Sequence, residues 1–188
     1  MQLKIETVAY EEALNMDLRI QKTLETIRLQ FLELRKACPL NKIKVSVICQ
    51  QSQINKTTFY RHYTDVYDLS NRLENAVIAK LIDDFEYIGC LFTDPERFIV
   101  SMLGAVAKYE NEINALFSER IEVFTAKFET IMKNFYLKES ATIEDDVKLS
   151  FIIGGAAHVF LDSRFDYETV TKVLATLLGD IQPAGSNV

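Results

Sequence analysis

The 188-residue sequence predicts an all-α protein, and two kinds of observation predict it. Apolar residues recur at steps of three and four along most of the chain, the spacing that gathers them on one face of an α-helix. Helix-start chemistry stands ahead of several of these stripes: Asn55 before Lys56, Asp65 before Val66, Asp94-Pro95 before Glu96 and Asp166 before Tyr167.

Residues 1–17 form an N-terminal extension, a short helix or a disordered arm. It is acidic, with Glu6, Glu11, Glu12 and Asp17 against Lys4, and so unsuited to reach into nucleic acid. From residue 18 to 37, Ile20, Leu24, Ile27, Phe31 and Leu34 trace one amphipathic helix, which Pro39 stops. Leu40 and Ile43 are expected to close a small core.

Residues 44–69 read KVSVICQQSQINKTTFYRHYTDVYDL. Val45 and Ile48 share the face of a short helix that the polar run 50–53 ends. Asn55 caps a second helix over 56–63, in which Phe59 and Tyr63, four apart, anchor inward. Lys56, Thr57, Thr58, Tyr60, Arg61 and His62 are left on the outer face, where nearly every side chain can donate to a phosphate. Two short helices joined by a tight turn, the second presenting such a face, form a helix-turn-helix pattern, whose second helix enters the DNA major groove.

INKTTFYRHY followed by DVYDL resembles the signature of the tetracycline-repressor-like (TetR) family of bacterial transcriptional regulators, over roughly residues 20–70. The resemblance implies a three-helix DNA-binding domain over 18–65 and, over 66–188, a helical bundle for effector binding and dimerisation. Lys56, Tyr60 and His62 would position phosphates, and Thr57, Thr58 and Arg61 would meet base edges. Lys44 and Asn55, at the starts of the two short helices, complete the DNA-facing set. Three positions depart from the family pattern. Gln53 stands where the turn usually has glycine, Val66 where a lysine is common, and Lys44 where Thr or Ser is the usual cap.

From Asp65, with Asp68 three residues on as in a capping box, Leu69, Leu73, Ala76, Val77, Leu81, Phe85 and Ile88 hold a single stripe up to Gly89. They predict one helix of about 35 Å at 1.5 Å per residue, a mechanical link between domains. Gly89 to Thr93 reads as a hinge or loop. Phe98, Met102, Ala105, Val106 and Tyr109 mark the next helix, 111–117 reads as broken, and Ile121, Phe124, Phe128, Ile131 and Phe135 mark another. Aromatic stripes of this kind build either plain core or a ligand box. The family resemblance favours a pocket for a small apolar effector, with Phe98, Met102, Tyr109, Phe124, Thr125, Phe128 and His158 as its candidate lining.

Residues 147–163 are apolar almost all round from Phe151 to Leu161, with Gly154, Gly155, Ala156 and Ala157 permitting close backbone approach. After Asp166, Val170, Val173, Leu174, Leu177, Leu178 and Ile181 form a terminal stripe. Two such helices carry more apolar surface than one subunit covers. They predict a homodimer built on a four-helix bundle, with Phe151, Gly155, Val159, Val170, Leu174, Leu177 and Leu178 at the interface. Residues 183–188 read as a frayed tail. His158 reads as a hydrogen-bonded histidine of that interface or core, or as a ligand contact or pH sensor.

A net charge of −6 argues against a protein that coats nucleic acid all over, yet residues 1–70 carry a balance of +2 and the remainder −8. That asymmetry suits one DNA-facing module on an acidic body. Cys38, Cys49 and Cys90 show neither a disulfide framework nor zinc-site spacing. No catalytic motif is present, the histidines His62 and His158 lie far apart, and the run Glu144, Asp145, Asp146 reads as a solvated face. No enzyme activity, cofactor or metal is expected. Without a signal peptide or an apolar run of about 18 residues, a cytoplasmic protein with no membrane partner is expected. The expected partner is palindromic operator DNA, bound by a ligand-responsive repressor; the alternative is the same scaffold as an interaction module or a constitutive DNA binder.

Overall fold

A computed structural model describes residues 2–137, 141–161 and 166–180. Among them the chain is all-α, with no strand. The expected tail at 183–188, and the ends of the last two stripes at Ser163 and Ile181, lie outside the described residues. The chain divides into two compact units, Met1–Leu73 and Glu74–Val188.

The first unit begins with α1 (Gln2–Ala37), which runs unbroken through the segment read as a separate extension. Ile27 and Phe31 are fully buried on its inner face. A 3-10 turn at Leu40–Lys42 leads into α2 (Val45–Gln51), which packs on both α1 and α3 (Lys56–His62). Ile48 and Phe59 have no exposed surface, and Leu40, Ile43, Cys49 and Tyr63 close the core around them.

The turn between α2 and α3 shows how the chain manages without glycine. Gln53 takes a left-handed conformation at φ 55°. The Ile54 N–H donates to the Cys49 carbonyl at 3.0 Å and the Gln53 N–H to the Gln50 carbonyl at 3.2 Å. This is the Schellman arrangement, which satisfies helix-end carbonyls through one left-handed residue. Asn55 then caps α3, its side-chain oxygen accepting from the Thr58 N–H at 2.7 Å.

Helix α4 spans Val66–Asp83, five residues short of the Ile88 that the stripe predicted. Asp65 caps it by accepting from the Asp68 N–H at 2.8 Å, while Asp68 reaches back to the Thr64 N–H at 2.9 Å. The Asp68 carboxyl is held below its usual range chiefly by its hydrogen bond with Arg72. The stripe continues inward past the helix end because Phe85 stays buried in the turn that follows. The unit boundary falls inside α4.

The second unit contains α5 (Pro95–Lys108), α6 (Glu110–Phe117), α7 (Ile121–Tyr136), α8 (Ile143–Leu161) and α9 (Tyr167–Asp180). Asp94 and Asp166 cap α5 and α9, accepting from the Arg97 N–H at 3.2 Å and the Thr169 N–H at 2.8 Å. The segment 111–117, read as broken, is helical and buries Ile113, Ala115, Leu116 and Phe117. Its stripe is too short to stand out by periodicity alone. The acidic run is likewise not a uniform solvated face. Asp145 is buried and closes a capping box with Thr142, whose N–H donates to it at 2.9 Å, and Asp146 pairs with Lys133 at 2.7 Å. Glu144 extends into solvent, paired with Lys148.

A non-glycine residue in the left-handed region costs about 1–2 kcal/mol. Gln53→Gly is therefore expected to stabilise the protein by about 1 kcal/mol after the greater freedom of glycine in the unfolded chain is offset. Urea denaturation checks this, as a higher midpoint with an unchanged slope.

Candidate nucleic-acid interface and apolar cavity

Helix α3 is only seven residues long and cannot hold itself in water. Its orientation comes from Phe59, fully buried, and from Tyr63, whose ring centroid lies 5.5 Å away. Arg72 lies over the Tyr63 ring at 5.4 Å and is paired with Asp68 at 2.9 Å, which ties the end of α3 to the start of α4.

With Phe59 inward, Lys56, Thr57, Tyr60 and Arg61 are exposed, Tyr60 by 54%. Lys44 and Asn55 are exposed at the starts of α2 and α3, and Lys44 makes no side-chain cap bond. Two of the expected contacts are placed differently. Thr58 is half-buried and its hydroxyl donates to the Asn55 side chain at 2.9 Å, so that its proton serves the cap. His62 is half-buried, with its ring 6.5 Å from that of Tyr63. The surface is a cationic and hydroxylic strip about two helical turns long, the chemistry that donates to phosphates and to purine edges.

The second unit encloses a cavity of about 190 Å³ between α5, α6, α7, α8 and α9. Five residues of the expected lining, Phe98, Met102, Phe124, Thr125 and Phe128, are in its wall. Tyr109 and His158 are not. The Tyr109 hydroxyl donates to Asp84, which Lys108 also holds at 2.6 Å, and His158 is exposed on the far side of α8. The sequence reading missed most of the α8 and α9 contribution: Ile152, Ile153, Ala156, Ala157, Leu174 and Leu178 also line the space.

Helix α8 therefore has two apolar faces. Leu149, Ile152 and Ile153 are buried, whereas Val147, Phe151, Gly154 and Gly155 are exposed, Phe151 by 74%. On α9, Val173 and Leu177 are exposed and Val170 and Leu178 buried. Of the residues expected at a dimer interface, Phe151, Gly155 and Leu177 face outward, Val159 is half-buried, and Val170, Leu174 and Leu178 turn inward.

Two polar fastenings hold α7 from outside the cavity. Glu74, 2% exposed, meets Arg120 at 3.1 Å and Lys127 at 3.7 Å. A carboxylate this buried needs such partners. The sequence signal for it is its register on α4, four residues from both Ser70 and Ile78, which are buried on the same face. Lys133 joins Glu129 at 2.8 Å to Asp146 of α8, and Ser150 donates to Glu129 at 2.7 Å. At the end of α7 the hydroxyl of the half-buried Tyr136 accepts from the Leu91 N–H at 3.0 Å and donates to the Ile88 carbonyl. That bond pair sits in the turn where the long helix was expected to continue.

Among the described residues, no group of His, Cys, Asp or Glu is placed to hold a metal ion. No described helix is long and apolar enough to cross a membrane. The three cysteines are free. No protein-family model and no curated protein matches the sequence. The class that the structure defines is an all-helical protein of two units, the first with an exposed cationic helix and the second with an apolar cavity.

Burial pushes the Tyr136 phenol up to about 12. Its ordinary value is about 10, so the native state keeps the proton after the unfolded chain has lost it. The stabilisation is complete below pH about 10 and erodes as pH rises from there towards 12. Tyr136→Phe is expected to cost about 1–3 kcal/mol at neutral pH by removing the partner of two backbone groups. It should also flatten the alkaline decline, as chemical denaturation repeated across that pH range would show.

Proposed function

We propose that the protein is a DNA-binding transcriptional regulator of the tetracycline-repressor-like type, a homodimeric repressor that reads operator DNA with α3. The observation that carries this reading is the α2–turn–α3 unit. A left-handed turn and an Asn55 cap set a short helix whose buried side is Phe59 and whose outer side is Lys56, Thr57, Tyr60 and Arg61. The sequence likeness of 54–69 to the family signature supports it, as does the positive charge balance of residues 1–70.

The exposed apolar strip Val147, Phe151, Gly154 and Gly155 on α8, beside Val173 and Leu177 on α9, supports self-pairing of two copies. Its glycines allow the close helix approach of a four-helix bundle. In such a dimer the two α3 helices enter successive major grooves only when about 34–36 Å apart. An effector in the cavity releases DNA if it binds the released arrangement more tightly than the bound one.

A second reading keeps the DNA-binding dimer and removes the effector. The cavity favours it by its size, since small-molecule sites usually begin at about 300 Å³ and this one holds about 190 Å³. The apolar wall favours the first reading.

Selection of bound sequences from random DNA, with and without candidate ligands, tests both. A palindromic consensus is expected, and no enrichment would overturn the DNA-binding reading. On the selected site, Arg61→Ala is expected to cost about 1–3 kcal/mol and relax preference at one position per half-site. Lys56→Ala should weaken specific and random DNA alike and lower the salt slope by about one. Equal losses on both DNAs for Arg61→Ala would remove it from base reading.

A further inference from the structure

The cavity wall is chemically one-sided. It is built from Leu, Ile, Val, Phe, Ala and two methionines, with Thr125 as its single hydroxyl. That hydroxyl donates to the Ile121 carbonyl of its own helix at 3.1 Å, so it offers a ligand a lone pair rather than a proton. No charged side chain lines the space. The cations Arg120, Lys127 and Lys133 are engaged elsewhere, Arg120 and Lys127 with Glu74 and Lys133 with Glu129 and Asp146, and none of them lines the space. A charged ligand would enter without a counter-ion in the wall.

Size and shape narrow the class further. An engineered apolar cavity of about 150 Å³ takes benzene, and this one holds about 190 Å³. Phe124 and Phe128 line it with parallel rings, centroids 6.3 Å apart and 6° between their planes, and so offer aromatic surface to a guest. Met102 and Met132, with unbranched side chains, can adapt to the edge of a guest.

We infer that the cavity accepts an uncharged aromatic molecule of one ring or two fused rings and rejects a charged molecule of the same shape. This deepens the regulator reading, on which the ligand's role as effector rests, but occupancy is measured on the protein without DNA. An empty cavity would leave the DNA-binding reading standing, and absence of DNA binding would leave the occupancy result standing.

The test uses the full chain at neutral pH with ethylbenzene, indole, benzoate and benzylamine as probes, followed by calorimetry and by NMR of methionine methyl groups. Ethylbenzene and indole are expected to bind and to shift the methyls of Met102 and Met132. Benzoate and benzylammonium should bind at least about a hundredfold more weakly. Ala157→Leu, which fills the space, should weaken ethylbenzene at least about tenfold with helical content unchanged. Should that variant not fold, the methyl shifts in the wild-type chain decide the location by themselves. Charged probes within tenfold of the neutral ones, neutral probes that do not bind, or binding that leaves the Met102 and Met132 methyls unshifted would each overturn the inference.

Discussion

The first unit depends on the burial of one side chain. Phe59 has no exposed surface in a helix of seven residues, and its removal from water is worth about 1.5–3 kcal/mol. A helix that short makes too few backbone bonds to fix its own rotation. Turning α3 by one residue, about 100°, would expose Phe59 and bury Tyr60 or Thr58. The outward display of Lys56, Thr57 and Arg61 is therefore a consequence of what is held inside. Asn55 and Gln53 refine the arrangement: the first fixes where α3 begins, and the second lets α2 end in a tight turn.

The second unit answers a different constraint. Helix α8 is apolar on two sides, and neither side can be left to water without cost. One side is met by α7 and α9, and with α5 and α6 they leave the cavity unfilled. The other side, with Val147, Phe151 and the glycines, is left exposed by the described residues. The same pattern explains why α9 is divided, with Val170 and Leu178 inward and Val173 and Leu177 outward. A stripe wider than one contact serves two.

What the sequence made legible followed from periodicity and capping chemistry. The all-α class, the Asn55, Asp94 and Asp166 caps and the inward placement of Phe59 and Tyr63 were readable because each is decided within four residues. The end of α4 was not. Its stripe runs on to Ile88, but the chain leaves the helix after Asp83 and keeps Phe85 buried from a turn, where Tyr136 holds the backbone from 48 residues away. Periodicity registers burial, and burial does not require helix. Asp145 was misread for a related reason: adjacency in an acidic run says nothing about which member turns back to cap. Among the cavity candidates, Tyr109 and His158 were chosen for their polar chemistry, and polar groups of that kind found partners or solvent elsewhere.

Helix α7 is where these constraints meet. It turns Phe124, Thr125, Phe128 and Met132 toward the cavity, while Lys127 and its cap residue Arg120 hold Glu74 and Lys133 holds Asp146. Packed apolar contacts yield gradually when a cavity is filled, but a buried carboxylate cannot lose its cations without a penalty of several kcal/mol. The Glu74 and Asp146 pairs therefore hold the outer side of α7 in place while its apolar side borders the cavity.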